Sequence, residues 1–422
     1  MPTDSLRTVM RRYVSVLRGG DFRRLWLGST VSLIGDGMTF VALSWLVLAE
    51  PDGVTRLGLL GVCYTAPVLL GGLAIGPLLD RFDKRAVLIA DSVFRSVVVA
   101  TVPLAGLAGG VPDWLPFAVG AVYGLLKMVP LAAVPAAIPQ LVDDTELDPA
   151  NALESLSFSS ASMIGPAVAG LLIGLIGGAG VLVLDSVSFL VFALSAALVR
   201  RPLRQERGQQ RRQVAPARLR ALGRDRLIVA TTVAFMAFNI AEGMLLVAAP
   251  WLAKNALPGG ATTLGVLLSA TAAGEFVGGA VGGSVATGRS PLRFIGMVQV
   301  AAACCYLLLL AAPSQLAVGV GFFAVGLLSA PMTIWAQSLR MRRIPAELHG
   351  RAFALLRTMM QATLPLGSAL ATPLLATGRL GVAAVVMTVI AGLPGLALLV
   401  VIDKRAPGSD DAAEAAEEPA QT

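Results

Sequence analysis

Apolar residues fall into long, nearly unbroken runs separated by short polar stretches. The runs lack both the two-residue alternation of a half-buried strand and the narrow stripe of a surface helix. Twelve are long enough to cross a hydrocarbon core, which takes roughly 20 helical residues. They cover 25–49, 57–79, 86–108, 114–142, 152–176 and 181–199, and after an interruption 227–252, 264–286, 292–312, 316–339, 352–376 and 380–402. Lipid offers no partner to backbone N–H and C=O groups, so such runs predict helices that satisfy their own bonds. The chain reads as an all-α membrane protein of twelve transmembrane helices.

The polar stretches divide it. Residues 1–24 form a basic N-terminal segment, 25–199 a first six-helix half, 200–226 a basic linker, 227–402 a second six-helix half, and 403–422 an acidic, Ala-rich tail expected to be disordered. The first apolar run has full membrane length behind a basic, polar start, so it predicts a retained anchor rather than a cleaved signal. Internal duplication is faintly visible. IPQLVDDTELDPANALESL follows span four and SLRMRRIPAELHGRAFALL follows span ten, each setting a polar turn before an Ala-rich helix. Repeats of this kind place a transport site between the halves, near the midplane.

Composition agrees. The chain is 56% hydrophobic and 14% charged, against about 25% charged in a soluble domain, which excludes an ordinary soluble fold. The net charge of +7 points to topology rather than nucleic acid. Arg56, Lys254 and Arg379 fall in loops on one side, Arg95, Lys127 and Arg357 lie within spans, and the remaining Lys and Arg sit on the side of the N-terminus. The positive-inside rule then puts both termini in the cytoplasm. Cys63, Cys304 and Cys305 sit in apolar spans and read as small buried hydrophobes, and one histidine, His349, gives no metal set. No phosphate-binding glycine loop or Ser/His constellation points to an enzyme, and no cofactor is implied.

Charges inside the spans carry the functional information, because each costs at least about 2.5 kcal/mol at bilayer depth. Ser29, Ser32, Asp36 and Thr39 share one face of span one. Lys127 lies in span four, Asn239 and Glu242 lie a turn apart in span seven, and Glu275 is deep in span eight. Asp91 and Arg95, four apart, are placed to pair locally. Asp185, near one end of span six, and Arg357, near one end of span eleven, are expected to snorkel or pair locally.

The loop between spans two and three reads GPLLDRFDKRAVL, with Gly76, Asp80, Arg81, Asp83, Lys84 and Arg85. It resembles the loop 2-3 signature of the major facilitator superfamily (G-x-L-x-D-R-x-G-R-K/R), with Asp83 where that signature has glycine. In span five MIGPAVAGLL, with Gly165, Pro166 and Gly170, is similar to the G-P-x-x-x-G element of drug antiporters. With FRRLWLGSTVSLIGDGM and DPANALES, the chain resembles the macrolide-efflux and enterobactin-exporter-like group of bacterial transporters.

The resemblance implies two pseudo-symmetric six-helix halves in the bacterial cytoplasmic membrane. It also implies that Gly76 permits close helix approach, that Asp80 meets the start of span eleven, and that Arg81 and Arg85 complete a lock favouring the outward-open state. The loop between spans eight and nine keeps Arg289 but no acid, so the lock would be one-sided. Spans one, four, seven and ten would line a central cavity, which brings Asp36, Lys127 and Glu242 together, with Glu275 as a fourth deep charge. Ser32, Thr39, Phe40, Tyr64, Phe235, Met244 and Trp335 are lining candidates.

An acid exposed alternately to two sides can take up and release protons, so the expectation is a proton-coupled exporter of amphipathic small molecules, working by alternating access and as a monomer. Siderophore export, uptake by symport, and a non-transporting sensor or scaffold remain alternatives. A bare Asp36–Lys127 salt bridge would be the purely structural use of those two charges.

Overall fold

Ten of the helices in the computed structural model are long and apolar enough to cross a bilayer, and the residues it describes are 13–203, 223–284, 291–345 and 348–400. One of the ten holds two crossings. Its helix, Leu147–Ala197, breaks at Gly177, whose φ of 72° and ψ of 167° lie outside helical values. A twelfth crossing is made of two shorter pieces, His349–Gln361 and Leu364–Ala376.

In chain order the spans are α1 (Gly20–Ala49), α2 (Gly53–Thr65 continued by Pro67–Arg81), α3 (Lys84–Leu107), α4 (Leu115–Leu126 continued by Met128–Leu141), and α5 and α6 (147–176 and 178–197). The second half has α7 (Arg226–Asn255), α8 (Ala261–Ser284), α9 (Pro291–Cys305, ending in a 3₁₀ turn, Tyr306–Ala311), α10 (Gln315–Arg343), α11 (the two pieces above) and α12 (Leu380–Val400). Among the described residues there is no strand. The interruptions have local causes. Pro67 opens the second piece of α2 and Pro365 that of α11, each missing a backbone donor. The break in α4 falls at Lys127 itself.

Outward faces carry exposed leucine, valine and phenylalanine such as Leu70, Leu104, Phe94 and Leu175, the surface that lipid would cover. Cys304 belongs to this outward face rather than to the interior where its apolar run placed it.

The two halves share one apolar core at one end only. Leu43, Val47, Leu48, Leu57 and Leu60 of the first half cluster there with Val247, Leu252, Leu264, Ala371 and Leu375 of the second. At the other end, where α1 begins, the core splits into separate clusters. One packs Phe22, Leu25, Leu79, Leu88 and Leu141, and the other packs Ile228, Ile344, Leu348 and Leu356. The second end is rich in Arg and is called the basic end below; the first is the far end. Residues 204–222 of the linker, Arg289 and the whole of 403–422 lie outside the described residues.

The far end is sealed by close backbone approach. A Cβ on Gly58 of α2 would overlap Thr372 of α11, and one on Gly61 would overlap Ser368. Gly170 of α5 meets the backbone of Ala261 and Gly265 of α8, while Thr262 donates to the Gly170 carbonyl at 3.2 Å and Ser269 to the Met163 carbonyl at 2.6 Å. Lys254 donates to the carbonyl of Leu48. The molecule is therefore closed at the far end and parted at the basic end.

Candidate functional site

The first half holds a buried polar core. Arg95 of α3, 1% exposed, donates from Nη1 to Asp36 Oδ1 of α1 at 3.1 Å, and from Nη2 and Nε to Asp91 Oδ2 at 2.9 and 3.1 Å. Its guanidinium lies 4.3 Å from the centroid of Phe189 and 5.7 Å from that of Tyr123, so aromatic faces occupy the sides that carboxylates leave open. Tyr123 donates to the backbone carbonyl of Asp36 at 3.1 Å and stacks on Tyr64, with Phe40 tilted against Tyr64.

Asp185 of α6 is fully buried and accepts from Thr39 of α1 and from Ser188. It neither snorkels nor sits at a solvated end. Gly35 makes this possible, since a Cβ there would occupy the place of Asp185 Oδ1 and Ser188 Oγ.

The alternative Asp36–Lys127 salt bridge is not formed. The partner of Asp36 is Arg95, and the Lys127 ammonium lies 5.7 Å from the Tyr64 ring centroid. Asp36 keeps a partly accessible edge, its side chain 16% exposed. That edge joins Ser29, Ser32 and Glu154 around a cavity of about 10 Å³, the size of one water.

The second half holds a much larger cavity, about 500 Å³, lined by Asn239, Glu242, Glu275, Phe235, Phe238, Arg340 and Arg357, among others. Asn239 is fixed by its bond to the Met360 carbonyl, 2.9 Å away across α7 and α11. Glu242 and Glu275 form no ion pair among the described residues. Arg340 and Arg357, at the basic end, supply the opposite charge on the same wall. Of the expected lining residues, Phe235 borders this cavity. Met244 is fully buried in the shared core, and Trp335 turns away to donate to the Gly282 carbonyl at 2.9 Å and pack edgewise on Phe294. The expected single cluster of Asp36, Lys127 and Glu242 thus divides, with two charges in the first half's polar core and the glutamates on the second half's cavity wall.

The loop between α2 and α3 also departs from the expected arrangement. Asp83 caps α3, its carboxylate accepting from the N–H of Arg85 at 2.8 Å and of Ala86 at 3.4 Å. Arg85 reaches the Ala197 carbonyl at the end of α6, and the Lys84 N–H bonds to the Leu203 carbonyl at 3.3 Å. Arg81 is exposed, and a Cβ on Gly76 would meet open space rather than a neighbouring helix. Among the described residues nothing approaches Gly76 closely. The Asp80 side chain lies outside the described residues. In α5, Gly165 approaches Gly37 of α1 within the half, whereas Gly170 faces α8 across the halves, with Pro166 between them.

The Major Facilitator Superfamily profile matches residues 25–368. The chain belongs to that superfamily. It is 24% identical to the uncharacterized MFS-type transporter y4rN of Sinorhizobium fredii, over 82% of this chain and 86% of that one. It is 28% identical to the multidrug efflux pump Tap of Mycolicibacterium fortuitum, over 39% of this chain and 42% of the pump. With macrolide efflux protein A of Streptococcus pyogenes the identity is 23%, over 44% and 46%. In fold it is similar to the nucleoside transporter NupG, with TM-score 0.69, 11% identity and coverage of 90% and 100%. A bacterial homolog of the lysosomal transporter Spinster, crystallised inward-facing and unoccupied, gives TM-score 0.63 at 15% identity, covering 92% and 94%. The chain is a multi-pass membrane transporter of that superfamily.

Proposed function

We propose that the protein exports amphipathic small molecules across the cytoplasmic membrane in exchange for protons, with the basic end facing the cytoplasm. The observation that carries this reading is the pair Glu242 and Glu275 on one cavity wall, neither held in an ion pair among the described residues. A carboxylate at bilayer depth is expensive when bare. A bound proton or the cationic group of a substrate can each neutralise it, and competition between the two couples opposite movements. Export is favoured by the likeness to the efflux pumps, and the cytoplasmic placement by the arginines of the basic end.

Asp36 plays a second part. Arg95 is shared between Asp36 and Asp91, so protonating Asp36 loosens α1 from α3 without leaving the guanidinium unpaired. The apolar polypeptide around this trio makes such a switch sensitive to the charge state of one oxygen.

The test is transport in proteoliposomes with an imposed pH gradient, paired with drug accumulation in a sensitive host. The wild type should lower accumulation, and E242Q or E275Q should abolish gradient-driven movement while the protein stays folded. Gradient-driven transport that persists in the double E242Q/E275Q variant, or accumulation that rises on expression, overturns the proposal.

A further inference from the structure

Arg340 stands out on the cavity wall. It is 4% exposed, yet among the described residues its Nε and Nη2 have no hydrogen-bond partner. These two nitrogens form the side-on edge of the guanidinium, whose parallel N–H groups match the two oxygens of a carboxylate. The plane of the group is set from below, because Arg340 Cζ lies 5.1 Å from the Phe235 ring centroid. A buried guanidinium left unpaired is costly, so an orphaned, pre-oriented edge that borders an open cavity is suited to receive an anion. Glu242 and Glu275 line the same cavity, yet neither is bonded to Arg340. The wall therefore presents an anion receptor and two carboxylates to one ligand, with Phe235, Phe238, Met332 and Met360 as its apolar bed.

We infer that Arg340 is the carboxylate-binding subsite of the transport cavity and that the protein's substrates include amphipathic zwitterions, whose acidic group docks on Arg340 and whose cationic group faces Glu242 and Glu275. The inference rests on the export reading for the cavity's role, but it concerns binding, so it stands or falls separately from direction and proton coupling. It narrows the expectation of simple amphipathic cations. A monocation leaves the Arg340 edge unpaired and brings its charge against Arg340 and Arg357, whereas a zwitterion satisfies both kinds of wall.

The test uses two fluorescent probes that differ at one group: rhodamine 110, with a free carboxylate and a cationic xanthylium, and rhodamine 123, its methyl ester. Binding is read by fluorescence anisotropy on the full-length protein in phosphatidylcholine nanodiscs. The acid should bind about tenfold more tightly than the ester, as expected for a charge-assisted pair of hydrogen bonds. R340Q should erase that preference, and R340K, which keeps the charge but lacks the two-pronged edge, should retain only part of it.

Equal affinity for the two probes in the wild type, or no binding of the acid, overturns the inference without any variant being made. A preference that survives in folded R340Q overturns it too. Repeating the titration with phosphatidylglycerol in the disc separates the sources of anion, and displacement of the acid by that lipid would assign the edge to a headgroup phosphate and overturn the substrate assignment. Transport that is not proton-driven, alongside an intact acid preference, would remove the coupling proposal and leave this one standing.

Discussion

At the scale of single residues, the first half depends on Arg95. Three of its nitrogens are committed to carboxylates on two helices, and two aromatic rings flank it. R95M would leave Asp91 buried without a cation, a change worth about 3–5 kcal/mol. Thermal unfolding followed by tryptophan fluorescence should show that loss, while D36N, which leaves Arg95 and Asp91 paired, should cost clearly less. An equal loss in the two variants would mean that Asp36 is as structural as Asp91. The Asp91–Arg95 spacing of four residues was legible in the sequence because both groups lie on one helix. The bond to Asp36 was not, since it depends on how α1 packs against α3. For the same reason Asp185, expected to snorkel or pair locally, bonds Ser188 three residues on as expected but is also a fully buried acceptor for Thr39 of α1. Its location follows from Gly35 opposite, a cross-helix fact with no signal in local spacing.

At the scale of elements, the apolar runs were sufficient to find the crossings, because bilayer thickness and backbone self-satisfaction constrain helix length strongly. They could not show where helices bend. The break at Lys127, three residues before Pro130, and the turn at Gly177, in the Gly-Gly pair 177–178, carry local hints in the sequence but no fixed position. Helix starts follow familiar chemistry. Asp225 caps α7 by accepting from Leu227 and Ile228 and bonds Arg343 of α10 at 3.3 Å. Burial pushes its carboxyl up, but those backbone N–H groups and the Arg343 guanidinium outweigh it and hold the group below its ordinary value of 3.8. A depressed folded value means that the cap stabilises the protein above about pH 4 and is lost as the pH falls through the folded value. D225A should therefore cost about 1 kcal/mol at neutral pH, with the gap from wild type closing below about pH 4 in a pH series of melting temperatures. A gap that stays constant into acid would exclude the charged cap.

The α5–α8 contact supports a second element-level expectation. Gly170 and Gly265 face each other so closely that a side chain on either collides with backbone, which cannot give way as a flexible side chain would. G265V should pry the far end open, and a single cysteine at Ser269, in a chain whose natural cysteines are replaced, should then react faster with a membrane-impermeant maleimide added from that side. Unchanged labelling would show that the two helices separate without regard to this contact.

At the scale of the whole molecule, the halves share a core at the far end and none at the basic end, so one side of the alternating-access equilibrium is on display and its stabilising contacts can be named. Most are apolar or small-residue contacts, which the sequence presents as ordinary membrane packing, and this is why the state was not legible from the motifs. Within the loop between α2 and α3, read as a lock from its motif, Asp83 caps α3 and Arg85 bonds the end of α6. Lys254 is the charged member of the sealing contacts named above. Its ammonium bonds the Leu48 carbonyl near the C-terminus of α1, where unpaired carbonyls and the helix dipole favour a cation. The bond joins the halves only while the far end is shut, so removing it penalises the closed state and leaves the open one untouched. K254M should shift the balance toward opening by about 1 kcal/mol, roughly fivefold in population. Spin labels at Thr55 and Asn255, both exposed at the far end, would report this as a larger long-distance fraction in double electron–electron resonance. An unaltered distance distribution would place the weight of the seal on the glycine contacts of α2 and α11 instead.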